Sequence, residues 1–265
     1  VTLVVIDVVL RTLGWGVIGL NELQIAVLVL LTYSVIAYVG IIRGHITVDV
    51  LLNKITGKYL VTINAMNSVL AVILVSFMTY CVVDFAIRSS GTYTYVMNIP
   101  TAWVIWGIVI GLGLYILVLI SEALYKLLEL FKNKWIIGII IAFIVPIAVL
   151  LLPSIIDLLH LSRTNQGVII LILMLIFIFL GLPVAISMAF AGIVGIASLT
   201  SLSAAIQATG NIPYSSLSNL LYAALPFFVL MGTFTASSGI GADLFRAIRI
   251  ILGRLQGSLA MATIA

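Results

Sequence analysis

LQIAVLVLLTYSVIAYVGIIRGHITVDVLL, residues 23–52, decides the fold. Residues 23–42 carry no charge, and a helix of that length crosses about 30 Å of hydrocarbon at about 1.5 Å per residue. Arg43, Gly44, His45 and Asp49 then break the apolar run. Such a group is expected where a span leaves the bilayer. Arg43 anchors the span at the cytoplasmic interface, Gly44 ends the helix, and His45 and Asp49 cap or pair at the start of a surface-lying segment.

The whole chain repeats this character. Its 265 residues are 64% hydrophobic and 8% charged, with a mean hydropathy of +1.37, which leaves too few polar side chains to cover a soluble domain of this size. The bilayer is the solvent. The net charge of +4 comes from Lys and Arg residues scattered singly, so no basic stripe suits nucleic acid, and no nucleic-acid partner is expected. Cys81 is the only cysteine, which excludes an intrachain disulfide and a cysteine-cluster metal site. The chain starts without Met or a basic leader and stops within an apolar pattern, so a segment of a longer protein is expected.

Candidate spans are 1–12, 23–42, 60–83, 101–124, 135–156, 167–182, 184–200 and 217–236. Arg43, Lys54 and Lys58 follow the second span and Lys126, Lys132 and Lys134 the fourth, which places both clusters in the cytoplasm. Alternation then puts PSIIDLLHLSRTNQG (153–167) outside, the GLP turn (181–183) inside, TSLSAAIQATGNIPYSS (200–216) outside, and Arg246, Arg249 and Arg254 inside. Residues 167–200 also read as one long kinked helix, which would invert everything downstream.

Asp7 and Arg11, Asp84 and Arg88, and Glu122 and Lys126 stand four apart with the acid first, the favourable order for a helical ion pair. Asn64 and Asn67 are expected to hydrogen-bond across a helix interface, and Gly107 with Gly111 to let two helices approach closely. Residues 241–254 place Leu244, Phe245, Ile248, Ile251 and Leu252 on one helical side and Asp243, Arg246 and Arg249 on the other, as an interfacial helix does. Pro226 falls inside the span 217–236, where it kinks or interrupts the helix; interrupted membrane helices line protein or watery cavities. Prolines that interrupt or bound spans, Pro183, Pro213 and Pro226, gather in the later half, whereas the earlier half reads as intact spans.

Catalytic patterns are missing from the sequence: it has no G-x-S-x-G, no phosphate-binding glycine loop and no H-E-x-x-H. His45 and Asp49 stand four apart without the third and fourth donors that a metal requires. No enzymatic activity is expected.

RTLGWGVIGLNELQIAVLVLLTYSVIAYVGIIRGHITVDVLL (11–52), continued by RSSGTYTYVMNIPTAWVIWGIVIGLGLYILVLISEALYKL (88–127), resembles the small membrane subunit of the tripartite ATP-independent periplasmic (TRAP) transporters. GLPVAISMAFAGIVG (181–195) and ALPFFVLMGTFTASSGIGADLFRAIRIILGRLQGSLAMATIA (224–265) resemble the start of the large membrane subunit. The family pattern has two acids where this chain has only Glu22, and two glycines where it has Gly257 and Ser258. The resemblance implies an all-α polytopic membrane protein of about eight transmembrane helices, with interfacial helices and the start of a re-entrant hairpin. It divides the chain into a small-subunit-like scaffold (1–130), a connector with an extra helix (131–165) and the first part of an elevator-like transport domain (166–265). It further implies sodium-coupled uptake of an organic acid delivered by a periplasmic binding protein, in contact with membrane lipids of a bacterial or archaeal cytoplasmic membrane. No cofactor besides the coupling sodium ions is implied. Pro226, Phe227, Phe228, Gly232, Ser238 and Gly239 become the transport-site candidates, Arg43, His45 and Asp49 the interface anchors, and the sodium ligands are expected beyond Ala265. A non-transporting polytopic scaffold is the alternative. A lipid-modifying enzyme built on His45 and Asp49 would need further donors nearby.

Overall fold

The computed structural model describes residues 2–48, 52–154, 162–241, 243, 246 and 247, and these are helical wherever they are regular. The chain divides into two compact units, one of residues 26–218 and one of residues 1–25 with 219–265.

The larger unit holds the rest of α2 (Leu20–Ile41), then α3 (Lys58–Arg88), α4 (Thr101–Lys132), α5 (Ile136–Leu150), α6 (Arg163–Phe179), α7 (Val184–Leu199) and α8 (Leu202–Leu217). Among the described residues three helices, α2, α3 and α4, are long and apolar enough to cross a membrane. The thirty-one residues of α3 extend over about 46 Å, so this helix exceeds the hydrocarbon and carries its charged ends into the headgroup layers. The helices run on past the expected spans 60–83 and 101–124: Lys58 opens α3 and Arg88 closes it beside Asp84, and Lys126 and Lys132 lie on the extension of α4. Asp84 pairs with Arg88 and Glu122 with Lys126 in these charged turns.

Helix α3 is the spine, buried over most of its length between Thr62 and Val75 and again at Cys81, Val82 and Ala86. Helices α4, α5, α7 and α8 pack against it. Lipid tails are as apolar as a leucine, so close fit rather than expulsion of water holds such helices together. Gly111 shows the fit: a Cβ there would collide with the Tyr33 carbonyl, and one at Gly107 with the Leu30 side chain. The expected Gly107/Gly111 approach is therefore the contact of α4 with α2. The outward faces carry large apolar groups such as Leu31, Trp103, Ile110 and Leu117, as lipid contact requires.

Residues 163–199 form two antiparallel helices, α6 and α7, rather than one kinked helix. Phe177 meets Phe190 edge to face at 5.3 Å between them. The segment expected as an outer loop, 200–216, is instead mostly helix α8. Ser201 caps it by accepting from the Ala204 N–H at 3.1 Å. Gly210 then lies against the carbonyl of Cys81, and Tyr33 OH donates to the Pro213 carbonyl at 3.3 Å. Its polar sequence hid a helix made stable by packing on α3. Pro146 lies inside α5 and Pro213 inside α8, both in the later half of the chain.

Among the described residues of the larger unit, three helices end in the same hydrogen-bonded reversal, in which the sixth N–H returns to the first carbonyl across a left-handed residue. In α2 the Gly44 N–H donates to Val39 at 2.9 Å and the Arg43 N–H to Gly40 at 3.1 Å, with Arg43 at φ 52°. Arg43, and not Gly44, therefore takes the left-handed position. Lys134 does the same after α4 (φ 51°), and Gly181 after α6 (φ 80°). A left-handed non-glycine costs about 1–2 kcal/mol, and a cation beside helix C-terminal carbonyls offsets part of it.

The smaller unit contains α1 (Thr2–Thr12), the first residues of α2, a 3₁₀ turn at Leu220–Ala224 and α9 (Leu225–Ser237). Asp7 and Arg11 pair at 2.9 Å on α1. The span expected over 217–236 begins instead at Leu225. Pro226 occupies the first turn of α9, where its missing N–H costs nothing, and so starts the helix instead of kinking it. Asp243 and Arg246 form an exposed pair at 3.6 Å. The remainder of the expected interfacial helix and Asp49, His160, Gly257 and Ser258 lie outside the described residues.

Candidate functional site

The stretch that follows α2 lines a polar cavity of about 260 Å³ inside the larger unit. Four elements meet there: the reversal after α2 with Arg43, His45 and Thr47, the face of α3 with Asn64, Asn67 and Ser68, the α4 residues Tyr115, Glu122 and Lys126, and the turn Gly181–Pro183 leading into α7. Gly40 opens the corner, because a Cβ there would press into the Tyr115 ring at 2.7 Å. The ring in turn faces His45, with centroids 5.3 Å apart and planes tilted by 56°.

Charge in the cavity is largely paired. Lys126 Nζ lies 2.7 Å from a Glu122 carboxylate oxygen and donates to Ser68 Oγ at 2.7 Å, so the expected α4 ion pair also ties α4 to α3. Asn67 Nδ2 donates to the Leu180 carbonyl at 2.7 Å, the interhelical bond expected of this residue. The N–H of Val184 donates to the Ile46 carbonyl at 3.0 Å. Two buried atoms, His45 Nε2 and Asn67 Oδ1, have no hydrogen-bond partner. Burial lowers the His45 pKa from its ordinary 6.5, and the nearby Glu122 carboxylate opposes this. Arg43 has no ion pair among the described residues.

The structure thus brings two of the three expected interface anchors, Arg43 and His45, to one cavity. No sequence signal marks Tyr115, Ser68 or the Gly181–Pro183 turn as its other walls, since only packing joins them. A second cavity of about 420 Å³ lies at the other end of α3, with Asp84, Arg88 and Ser89 and the α8 residues Gln207 and Asn211 in its wall. Asp84 and Arg88 pair there at 2.7 Å. The basic end of the unit, with Arg43, Lys126 and Lys58 over the Trp135 ring at 5.0 Å, is therefore opposite this second cavity along α3.

The transport-site candidates are placed on α9 in the smaller unit. Phe227 and Ser238 line a shallow groove of about 430 Å³ with Met231, Phe234 and Thr235; Pro226, Phe228, Gly232 and Gly239 do not contribute to it. No residue described on α9 is buried. Gly239 has φ 76° and ends the helix, and an added Cβ on Gly232 meets nothing within 4 Å. Among the described residues no three His, Cys, Asp or Glu side chains are grouped to hold a metal ion.

Residues 1–130 match the family model described as the DctQ component of the tripartite ATP-independent periplasmic transporters, and residues 171–265 match the model of their DctM component. The chain belongs to the TRAP transporter family. It joins the small membrane subunit to the start of the large one. A similar TRAP protein is the isethionate TRAP transporter permease protein DctMQ of Oleidesulfovibrio alaskensis (strain ATCC BAA-1058 / DSM 17464 / G20). The two are 32% identical over 84 residues, 32% of this chain and 13% of that protein. The match therefore spans a small part of the relative's length. No solved structure matches the chain. TRAP proteins form a transporter family and not an enzyme class, and they work with a periplasmic binding protein. The apolar helices make this TRAP chain a multi-pass membrane protein.

Proposed function

We propose that the chain is part of the membrane component of a sodium-coupled secondary transporter that imports a small organic acid handed over by a periplasmic binding protein. The observation that carries this reading is the succession of both membrane-subunit patterns in one chain. The substrate is a carboxylate or a comparably small organic anion, and the similar permease named for isethionate supports the anion class. The coupling sodium ions bind residues beyond Ala265. The membrane is the cytoplasmic membrane of a bacterium or archaeon, with the basic end of α2, α3 and α4 inside.

An elevator mechanism needs a stiff support and a portion that slides. One compact unit, residues 26–218, is assigned to the support and the moving portion to residues from about Asn219, later than the boundary at 166 that the resemblance implies; residues 1–25 group with 219–265. The groove beside Phe227 and Ser238 then belongs to the approach to the transport site. The test is uptake by the full fused protein in proteoliposomes, with a binding protein supplied outside. Radiolabelled C4-dicarboxylate, sialic acid and isethionate are offered with and without an inward sodium gradient. Accumulation of one of them that needs both sodium and the binding protein is the expected result. Folded, correctly inserted protein that recruits the binding protein but moves no solute would establish the scaffold alternative instead.

A further inference from the structure

We propose that the groove at the turn from α4 to α5 binds an anionic phospholipid, its phosphate between Lys132 and Lys134 and one acyl chain along α5. The groove encloses about 480 Å³ and is walled by Phe131, Lys132, Lys134, Ile136 and Ile139. Both lysines are exposed, and neither joins an ion pair among the described residues. Glu129, the nearest acid in sequence, is not part of that wall. Lys134 takes the left-handed position after α4, where glycine would sit without strain; the lysine puts a second cation in the groove at a conformational cost. Flexible, exposed lysine stems can turn their ammonium donors to one phosphate.

Exposed aromatic rings place the groove at the edge of the hydrocarbon. Tyr59 and Tyr80 on α3, and Trp103 and Tyr125 on α4, are all exposed, and a rise of about 1.5 Å per residue sets the two pairs about 32 and 33 Å apart. That is close to the roughly 30 Å of hydrocarbon that two interfacial aromatic belts enclose. Trp135, next to Lys134, meets Tyr59 edge to face at 6.2 Å and lies 5.0 Å from Lys58 Nζ, so the turn is held at the level of the belt on the basic end. From there α5 runs along α3 with Ile136, Ile140, Phe143 and Ile147 exposed at the spacing of one helical stripe. The stripe is about 17 Å long, the depth of one leaflet's hydrocarbon. Cations at headgroup level above an apolar stripe fit a lipid of net negative charge. A zwitterionic headgroup would bring its own ammonium against the lysines, and a soluble anion would leave the stripe uncovered.

The experiment uses the full fused protein with one bimane fluorophore on Ile140→Cys, in a background without other cysteines, reconstituted into dioleoylphosphatidylcholine bilayers. Increasing fractions of brominated phosphatidylglycerol quench the label, and brominated phosphatidylcholine gives the reference. Phosphatidylglycerol is expected to associate at this position about tenfold more strongly than phosphatidylcholine, and Lys132→Gln with Lys134→Gln to bring the ratio near one. A label on Ile110→Cys, exposed on α4 away from the groove, is expected to show a ratio near one already in the unaltered protein. That comparison of positions keeps the test open if the lysine variant fails to insert. A ratio near one at Ile140 overturns the proposal, as does an equal preference at Ile110 or a preference that survives loss of both lysines. Absence of quenching at Ile140 also overturns it, because a protein segment rather than a lipid then covers the stripe.

Discussion

The backbone N–H of Val184 donates to the carbonyl of Ile46 at 3.0 Å, joining the segment after α2 to the first turn of α7. One partner belongs to the small-subunit-like part and the other to the large-subunit-like part. If both are in the support, cysteines at Ile46 and Val184 on a Cys81→Ala background form a disulfide without stopping transport. Uptake by the oxidised full-length protein is expected to stay within about twofold of the reduced form, since a static joint contributes nothing to the barrier that changes. Loss of uptake that dithiothreitol restores would place α7 in the moving portion.

His45 makes stability depend on pH. Its folded pKa lies below the ordinary 6.5 because the ring is buried, so the unfolded chain binds more protons between the two values. The neutral ring therefore contributes stability that is present above pH 6.5 and is lost as the pH falls through the folded value. Thermal midpoints in detergent are expected to drop from pH 7.5 to pH 5. His45→Phe should flatten that slope.

Gly111 and Gly113 are neighbours on α4 with opposite surroundings. A Cβ on Gly111 meets the Tyr33 backbone, and one on Gly113 meets nothing within 4 Å. Gly111→Ala is expected to lose about 1–3 kcal/mol by pushing α4 off α2, whereas Gly113→Ala is neutral or gains up to about 1 kcal/mol from helix propensity. Reversible unfolding in mixed micelles compares them.

Lys126 answers both Glu122 and Ser68. Lys126→Met leaves the Glu122 carboxylate without its cation. With side-chain exposures of 20% and 29%, the loss should be about 1–2 kcal/mol, below the roughly 3–5 kcal/mol of a fully buried pair. Glu122→Leu with Lys126→Met should cost less than the sum of the single changes, and a double-mutant cycle measures the difference.

The sequence by itself determined that the chain is helical and immersed in lipid, because residues 23–42 and their counterparts offer no polar surface to water and a helix alone satisfies their backbone. It also determined the ion pairs Asp7–Arg11, Asp84–Arg88 and Glu122–Lys126 and the close Gly107/Gly111 contact, all of which follow from spacing on one helix. Tertiary structure alone decided the rest. Residues 202–217 are too polar to announce a helix, and only the fit of Gly210 on Cys81 and of Pro213 on Tyr33 makes one. Pro226 reads alike as a kink or a first-turn residue until the chain before it is placed. The cavity at His45 depends on Tyr115, Asn67 and the turn at Gly181, which no periodicity links, since periodicity records which face of a helix is apolar and not which other helix that face will meet.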